Sequence, residues 1–302
     1  MNEERVLEVL EKNRAITGKD LRDKTELDEI ALWRVCSDSS KILTRVVGKR
    51  YLRLDRNVQG YARLSPSIKR EFLTYTVCGL KKNVQDVILA AEALEITIKD
   101  ISKEKFDFAR SFIKKIVTDS VHNRTLLQSF VVFLGGDIVF NMAHLESRPE
   151  RSLGKMVRGS DLDIVIIHKD DCPEHVIKDL DQDIYKEKYM CLVKPECREE
   201  VDYVIKDLSK TKKQLRFDQF ESMIAAKILW EGRYLFGNKD LFKTVKNWLE
   251  EMSIPSKVKK MEIQAQKNRK EAESFLLHSQ QDLTREDYMA LFYTSEESEE
   301  IY

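Results

Sequence analysis

Apolar side chains recur at helical spacing in EERVLEVLEK (3–12), which places Val6, Leu7 and Leu10 on one face. TGKDLRDKT (17–25) predicts a short second helix after a Thr-Gly turn. DEIALWRVCSDSSKILTRVV (28–47) predicts a longer third, with Ile30, Leu32, Trp33, Val35 and Cys36 near one stripe and Ile42, Leu43 and Val46 on the next. The period then changes to two. KRYLRLDRNVQGYARLS (49–65) alternates across a turn at Asn57–Gly60, as a hairpin does.

Three helices followed by a hairpin resemble a winged helix-turn-helix, a shape that serves nucleic-acid binding or protein contacts. Residues 71–130 read as all-helical, with DVILAAEALEITI and KFDFARSFIKKIVTDSVH as the clearest segments. SFVVFL (129–134), LDIVIIH (162–168) and EVDYVI (200–205) predict buried strands, and CPEHVIKDLDQDIYKEKY (172–189) a helix between the last two. Beyond residue 214 the pattern is helical throughout. The expected fold class is therefore α+β: an N-terminal winged helix (1–75), a helical connector (76–128), a central mixed sheet with helices (129–212), C-terminal helices (213–280) and an acidic tail (281–302) expected to be mobile.

Charge sharpens this picture. Lys+Arg and Asp+Glu are both 52, so the net charge of zero hides a segregation. Residues 31–63 carry Arg34, Lys41, Arg45, Lys49, Arg50, Arg53, Arg56 and Arg63 against only Asp38 and Asp55. Arg34, Lys41 and Arg45 fall on the expected recognition helix and Arg50, Arg53 and Arg56 on the wing, a candidate surface for RNA or DNA. Residues 281–302 reverse the balance, with Arg285 against seven acidic residues. No apolar run approaches the roughly 20 residues that span a bilayer, so no membrane association is expected. The charged N-terminus lacks a secretory pattern, and five cysteines with no CxxC pair argue against a disulfide framework. The expected compartment is cytoplasmic.

Candidate chemistry centres on two short stretches. FLGGDIVF sets Gly135 and Gly136 behind an apolar strand, where a glycine pair can be a plain turn or a close approach of backbone to phosphate. In GSDLDIVII, Asp161 and Asp163 share a strand face about 7 Å apart while Leu162, Ile164 and Ile166 point to the core. Asp202, between Val201 and Tyr203, faces out of the third strand. Unneutralised carboxylates on one face repel, and oxygen donors of this kind suit Mg²⁺. Three of them can hold two ions about 4 Å apart, the arrangement that serves nucleotidyl transfer.

Strand, Gly-Gly, helix, Asp-x-Asp strand and a later strand with a lone aspartate resemble the nucleotidyltransferase superfamily of DNA polymerase beta, in form nearest its minimal members. The likeness covers about residues 129–240. It implies a central nucleotidyltransferase sheet in which the Gly135–Gly136 turn binds the triphosphate of an NTP, with ATP expected. It also implies that Asp161, Asp163 and Asp202 hold two Mg²⁺ ions, which Mn²⁺ can replace, and activate an acceptor hydroxyl. Ser160 stands where small members often carry serine. The chain departs from the family in two ways: LESRPERSLGKMVR is inserted before Asp161, and Gly136 replaces a common serine. Arg148, Arg151, Lys155 and Arg158 of the insertion could hold an anion or line a solvated loop. Lys227 and Arg233, read as lying a turn and a half apart on the helix after the core, are candidates for the outer phosphates.

Lysine and arginine runs at 206–216 and 257–270 could track a polynucleotide but read more simply as solvated helix faces. His144, His168 and His175 lack the spacing of a zinc helix. The expected activity is transfer of a nucleoside monophosphate to an RNA 3′ end, a protein or a small molecule. The alternative is a winged-helix regulator with a nucleotide-sensing or degenerate domain, as in a toxin–antitoxin or defence component.

Overall fold

In the computed structural model, which describes residues 2–150, 154–279, 284 and 288–292, side-chain caps set the bounds of the early helices. After α1 (Asn2–Asn13) and the short strand β1 (Ala15–Thr17), the Thr17 hydroxyl accepts from Asp20 N and opens α2 (Gly18–Thr25). Asp28 likewise accepts from Ile30 N and Ala31 N to open α3 (Glu29–Asp38). This third helix stops at Asp38 rather than running to residue 47. The β-branched residues Ile42, Thr44 and Val46 form strand β2 (Ile42–Val46), because strand pairing suits them better than a further helical turn.

The hairpin forms as its alternation predicts: β3 (Tyr51–Leu54) pairs antiparallel with β4 (Ala62–Ser65), Tyr51 opposite Ser65. α4 (Ile68–Tyr75), β5 (Thr76–Leu80) and the long α5 (Val84–Asp119) follow. β5 is the middle of an antiparallel sheet of order β1-β5-β2, with Cys78 opposite both Ile16 and Thr44. The stretch 71–130 is thus not all helical, and the sheet crosses the expected boundary at residue 75. Five residues flanked directly by helices leave no turn signal to betray the strand. Val6, Leu10, Leu21, Leu32, Phe72 and Cys78 form the core of this region.

The chain divides into two compact units, residues 1–98 with the segment from Lys260 onward, and Lys99–Lys259. In the second, α6 (Asn123–Ser129), β6 (Phe130–Leu134) and the single turn α7 (Gly136–Val139) precede the hairpin of β7 (Ser147–Pro149) and β8 (Met156–Arg158). Next come β9 (Leu162–His168), α8 (Glu174–Val193), β10 (Val201–Asp207), α9 (Leu208–Gln214) and α10 (Phe220–Glu231). β11 (Arg233–Gly237), α11 (Lys239–Glu251) and α12 (Ile254–His278) close the described elements, and α12 continues into the first unit. The sheet order is β10-β9-β6-β11, with β10 parallel to β9 and the other pairs antiparallel. β11 corrects the all-helical reading of the C-terminal part: Gly232 ends α10, and the aromatic run after it pairs with β6.

Leu162, Ile164 and Ile166 of β9 pack with Val132 and Leu134 of β6 and with Val176, Leu180 and Ile184 of α8. No disulfide framework was expected, and Cys191 and Cys197 form a single disulfide that closes the loop after α8. Among the described residues no helix is long and apolar enough to cross a membrane. Arg151 and most of the acidic tail, residues 281–283, 285–287 and 293–302, lie outside the described residues. Replacing Cys191 and Cys197 together by serine is expected to cost about 2 kcal/mol, the loop-closure value for so short a ring. Urea unfolding of the variant beside the oxidised wild type measures it.

Candidate functional site

Register brings two of the aspartates together. β9 and β10 run parallel with Asp163 and Asp202 as Cα partners, so both side chains stand on one face of the sheet. β6, on the other flank of β9, delivers the glycine pair to the same place: Gly135 N donates to Asp163 O at 2.8 Å. Gly136 has φ 68°, and a Cβ there would overlap the Asp163 carboxylate. The glycine is therefore required both by its left-handed backbone and by the carboxylate against it.

Asp161 lies just outside β9. Burial pushes its carboxyl pKa up, Arg148 opposes this, and the carboxylates of Asp137 and Asp202 add to the rise. Asp137, the residue directly after the glycine pair, is a fourth carboxylate that the sequence pattern did not single out. It accepts from Ser160 Oγ at 2.9 Å, and that hydroxyl in turn accepts from His144 N at 3.2 Å. Ser160 is buried, so its hydroxyl ties loops together.

Cations face these acids from three elements. Arg148, on β7, pairs with Glu200 at 2.6 Å, approaches Asp161 at 3.6 Å and donates to Gly159 O at 3.0 Å. Lys188 of α8 donates to Asp202 at 3.0 Å. Lys105 of α5, only 3% exposed, donates to Arg158 O and Ser160 O, each at 2.7 Å, and to the Glu199 carboxylate. Burial lowers the Lys105 pKa, while Glu199 and then Asp161 raise it. Burial raises the Glu200 pKa, against the pull of Arg148. Lys105, Lys188, Glu199 and Glu200 escaped the sequence reading; the Glu199–Glu200 doublet before β10 was the one visible signal.

Lys227 and Arg233 do not share a helix. Lys227 is buried in α10 and pairs with Glu231 at 2.9 Å, whereas Arg233 is the exposed first residue of β11, opposite Leu134. Its guanidinium lies 4.6 Å from the centroid of the Phe106 ring. Arg233 therefore lies on the face of the sheet that carries Leu134 and Phe106, opposite to that of Asp163, and Lys227 is committed to its helix. Lys206, read as part of a solvated run, is buried, and desolvation followed by the nearby Lys210 lowers its pKa to about 8.

The six basic residues of the first unit do not form one recognition helix. Arg34 is on α3 and donates to Leu276 O at 2.7 Å; Lys41 lies between α3 and β2, and Arg45 is on β2. Arg50 pairs with Glu71 at 2.6 Å and Glu273 at 2.8 Å, and Arg53 is 4% exposed. Lys41, Arg45 and Arg56 remain at the surface.

Among the described residues no group of three or more His, Cys, Asp or Glu side chains is placed to hold a metal ion. Asp161 and Asp202 face Arg148 and Lys188 instead. The oxygen donors are of the kind that suits a hard divalent cation: Asp163 and Asp202 are neighbours in register, and Asp137 and Asp202 add to the rise that burial gives the Asp161 pKa, a repulsion that a cation would relieve. No family model matches the chain, and no curated protein matches it.

Two expectations follow from this geometry. Gly136→Ala should lose about 1–2 kcal/mol from the left-handed backbone alone, with further loss as Asp163 is displaced; urea unfolding reads the total. Because the folded-state pKa of Asp161 is raised, its charge opposes folding above that pKa, and the penalty vanishes below the ordinary carboxylate pKa. Asp161→Asn should therefore raise Tm at pH 7, and calorimetry should show the gain shrinking as pH falls toward 4.

Proposed function

We propose that the second unit is a Mg²⁺-dependent nucleotidyltransferase that moves a nucleoside monophosphate from an NTP, ATP being expected, to a hydroxyl acceptor. One observation carries the reading: Asp163 and Asp202 are register partners on adjacent strands, and the Gly135–Gly136 turn is bonded to the backbone of Asp163. The glycine pair thus stands next to the carboxylates that would hold the counter-ion of a phosphate. Asp161, Asp163 and Asp202 would hold the cation, with Lys188 and Arg148 giving way as partners of Asp202 and Asp161. When bound, the cation neutralises phosphate charge and polarises the phosphoryl group.

The chain's own residues do the rest. Glycine backbone approaches the triphosphate. Asp202 takes the proton of the acceptor hydroxyl as its oxygen bonds to the α-phosphorus and the bond to the β-phosphate oxygen breaks, releasing pyrophosphate. The acceptor is an RNA 3′ end, a protein or a small molecule.

A second reading, a nucleotide-sensing regulator without transfer, is favoured by the ion pairs of Asp161 and Asp202 with the protein's own cations. Incubation with each α-³²P-labelled NTP, Mg²⁺ and cell extract separates the two. Transfer predicts labelled RNA, protein or small molecule with wild type and a loss of at least a hundredfold with Asp163→Asn. Label retained by that folded variant would sink the assignment of Asp163. NTP binding with no labelled product at all would favour the regulator.

A further inference from the structure

Between the hairpin β7–β8 and strand β9 the chain makes a tight loop, Arg158–Asp161, and between α8 and β10 it runs through Glu199 and Glu200. Two backbone bonds join these segments, Arg158 N to Arg198 O and Leu162 N to Glu200 O, each at 2.9 Å. These bonds hold the two ends of the loop but not residues 159–161 between them, and the direction of Asp161 depends on those residues. Lys105 supplies what pairing does not. Its ammonium has three protons and three acceptors: the carbonyls of Arg158 and Ser160 on one segment and the carboxylate of Glu199 on the other.

The loop is held on its far side too. Gly159 has φ 64°, a Cβ there would overlap His144 O, and Ser160 N donates to that same oxygen at 3.1 Å. A short loop gripped by a buried ammonium on one side and by His144 on the other has little freedom to turn. Lys105 is buried and bonds two loop carbonyls and the Glu199 carboxylate, so it acts by holding the loop.

We propose that Lys105, with Glu199 as its counter-ion, is a positioning residue that fixes Asp161 against Asp202 so that the aspartates can take a divalent cation, an inference that rests on the cation-binding reading above. Arg148 spans the same two segments through Gly159 O and Glu200, but from the hairpin and with its side chain partly exposed.

The test uses the full chain. Lys105→Met with Glu199→Gln removes both charges at once, leaving neither buried without its partner. Glu199→Gln alone, which keeps the ammonium on the two carbonyls, is the milder variant should the double one fail to fold. Three readouts are taken: thermal unfolding, Mn²⁺ affinity from the electron paramagnetic resonance signal of the free ion, and amide hydrogen exchange resolved over residues 158–163. The proposal expects exchange in 158–163 to speed up at least tenfold while the β6 and β9 core stays protected, and Mn²⁺ affinity to fall tenfold or more. A folded variant with wild-type Mn²⁺ affinity and unchanged exchange at 158–163 overturns it. So does a uniform rise in exchange with unchanged affinity, since that marks general stability only. If wild type binds no Mn²⁺, the cation reading fails by itself; local exchange at 158–163 then decides whether Lys105 fixes the loop.

Discussion

Carboxylates crowded into the approaches to two parallel strands are the constraint around which the second unit is arranged. Burial raises the Asp161 pKa, Asp137 and Asp202 add to the rise, and Glu199 and Glu200 are buried alongside. A charge taken out of water needs an opposite charge or several donors close by. The chain provides them from three separate elements: Lys105 on α5, Arg148 on β7 and Lys188 on α8. Each pairing also bridges segments, so charge compensation and loop placement are one and the same set of contacts.

The same rule governs the first unit. Glu71 of α4 is buried between Arg50 and Arg269, and both arginines also bond Glu273. Arg269 further donates to Pro66 O at 2.8 Å. This network ties α4, α12 and the segment before β3 together. It also withdraws basic residues from the surface, so the positive excess of residues 31–63 is partly internal wiring.

Lys246 shows how far an ammonium can serve as a structural group. It donates to Leu229 O and Trp230 O at the end of α10, among the rings of Phe133, Trp230 and Phe242, and burial lowers its pKa to about 8. Two helix-terminal carbonyls that lack intrahelical partners are satisfied in this way. α10 is thereby anchored over the face that carries Asp163, where Ala225, Ile228 and Leu229 line a small cavity with that aspartate.

Much of the second unit was legible in local pattern. Short apolar runs marked β6, β9 and β10, and the acidic residues within the last two were Asp163 and Asp202. The strand β5 and the turn from α3 into β2 were not legible: their residues suit helix or strand, and only pairing with a distant strand chose between them. β11 was hidden for the same reason, and with it the true place of Arg233. The sequence by itself determined which positions along each strand are apolar and which are acidic, because that period is set by backbone geometry within a few residues. Tertiary structure alone decided which cation meets each carboxylate. Lys105 and Glu199 are 94 residues apart, and an ion pair between elements leaves no period in the chain.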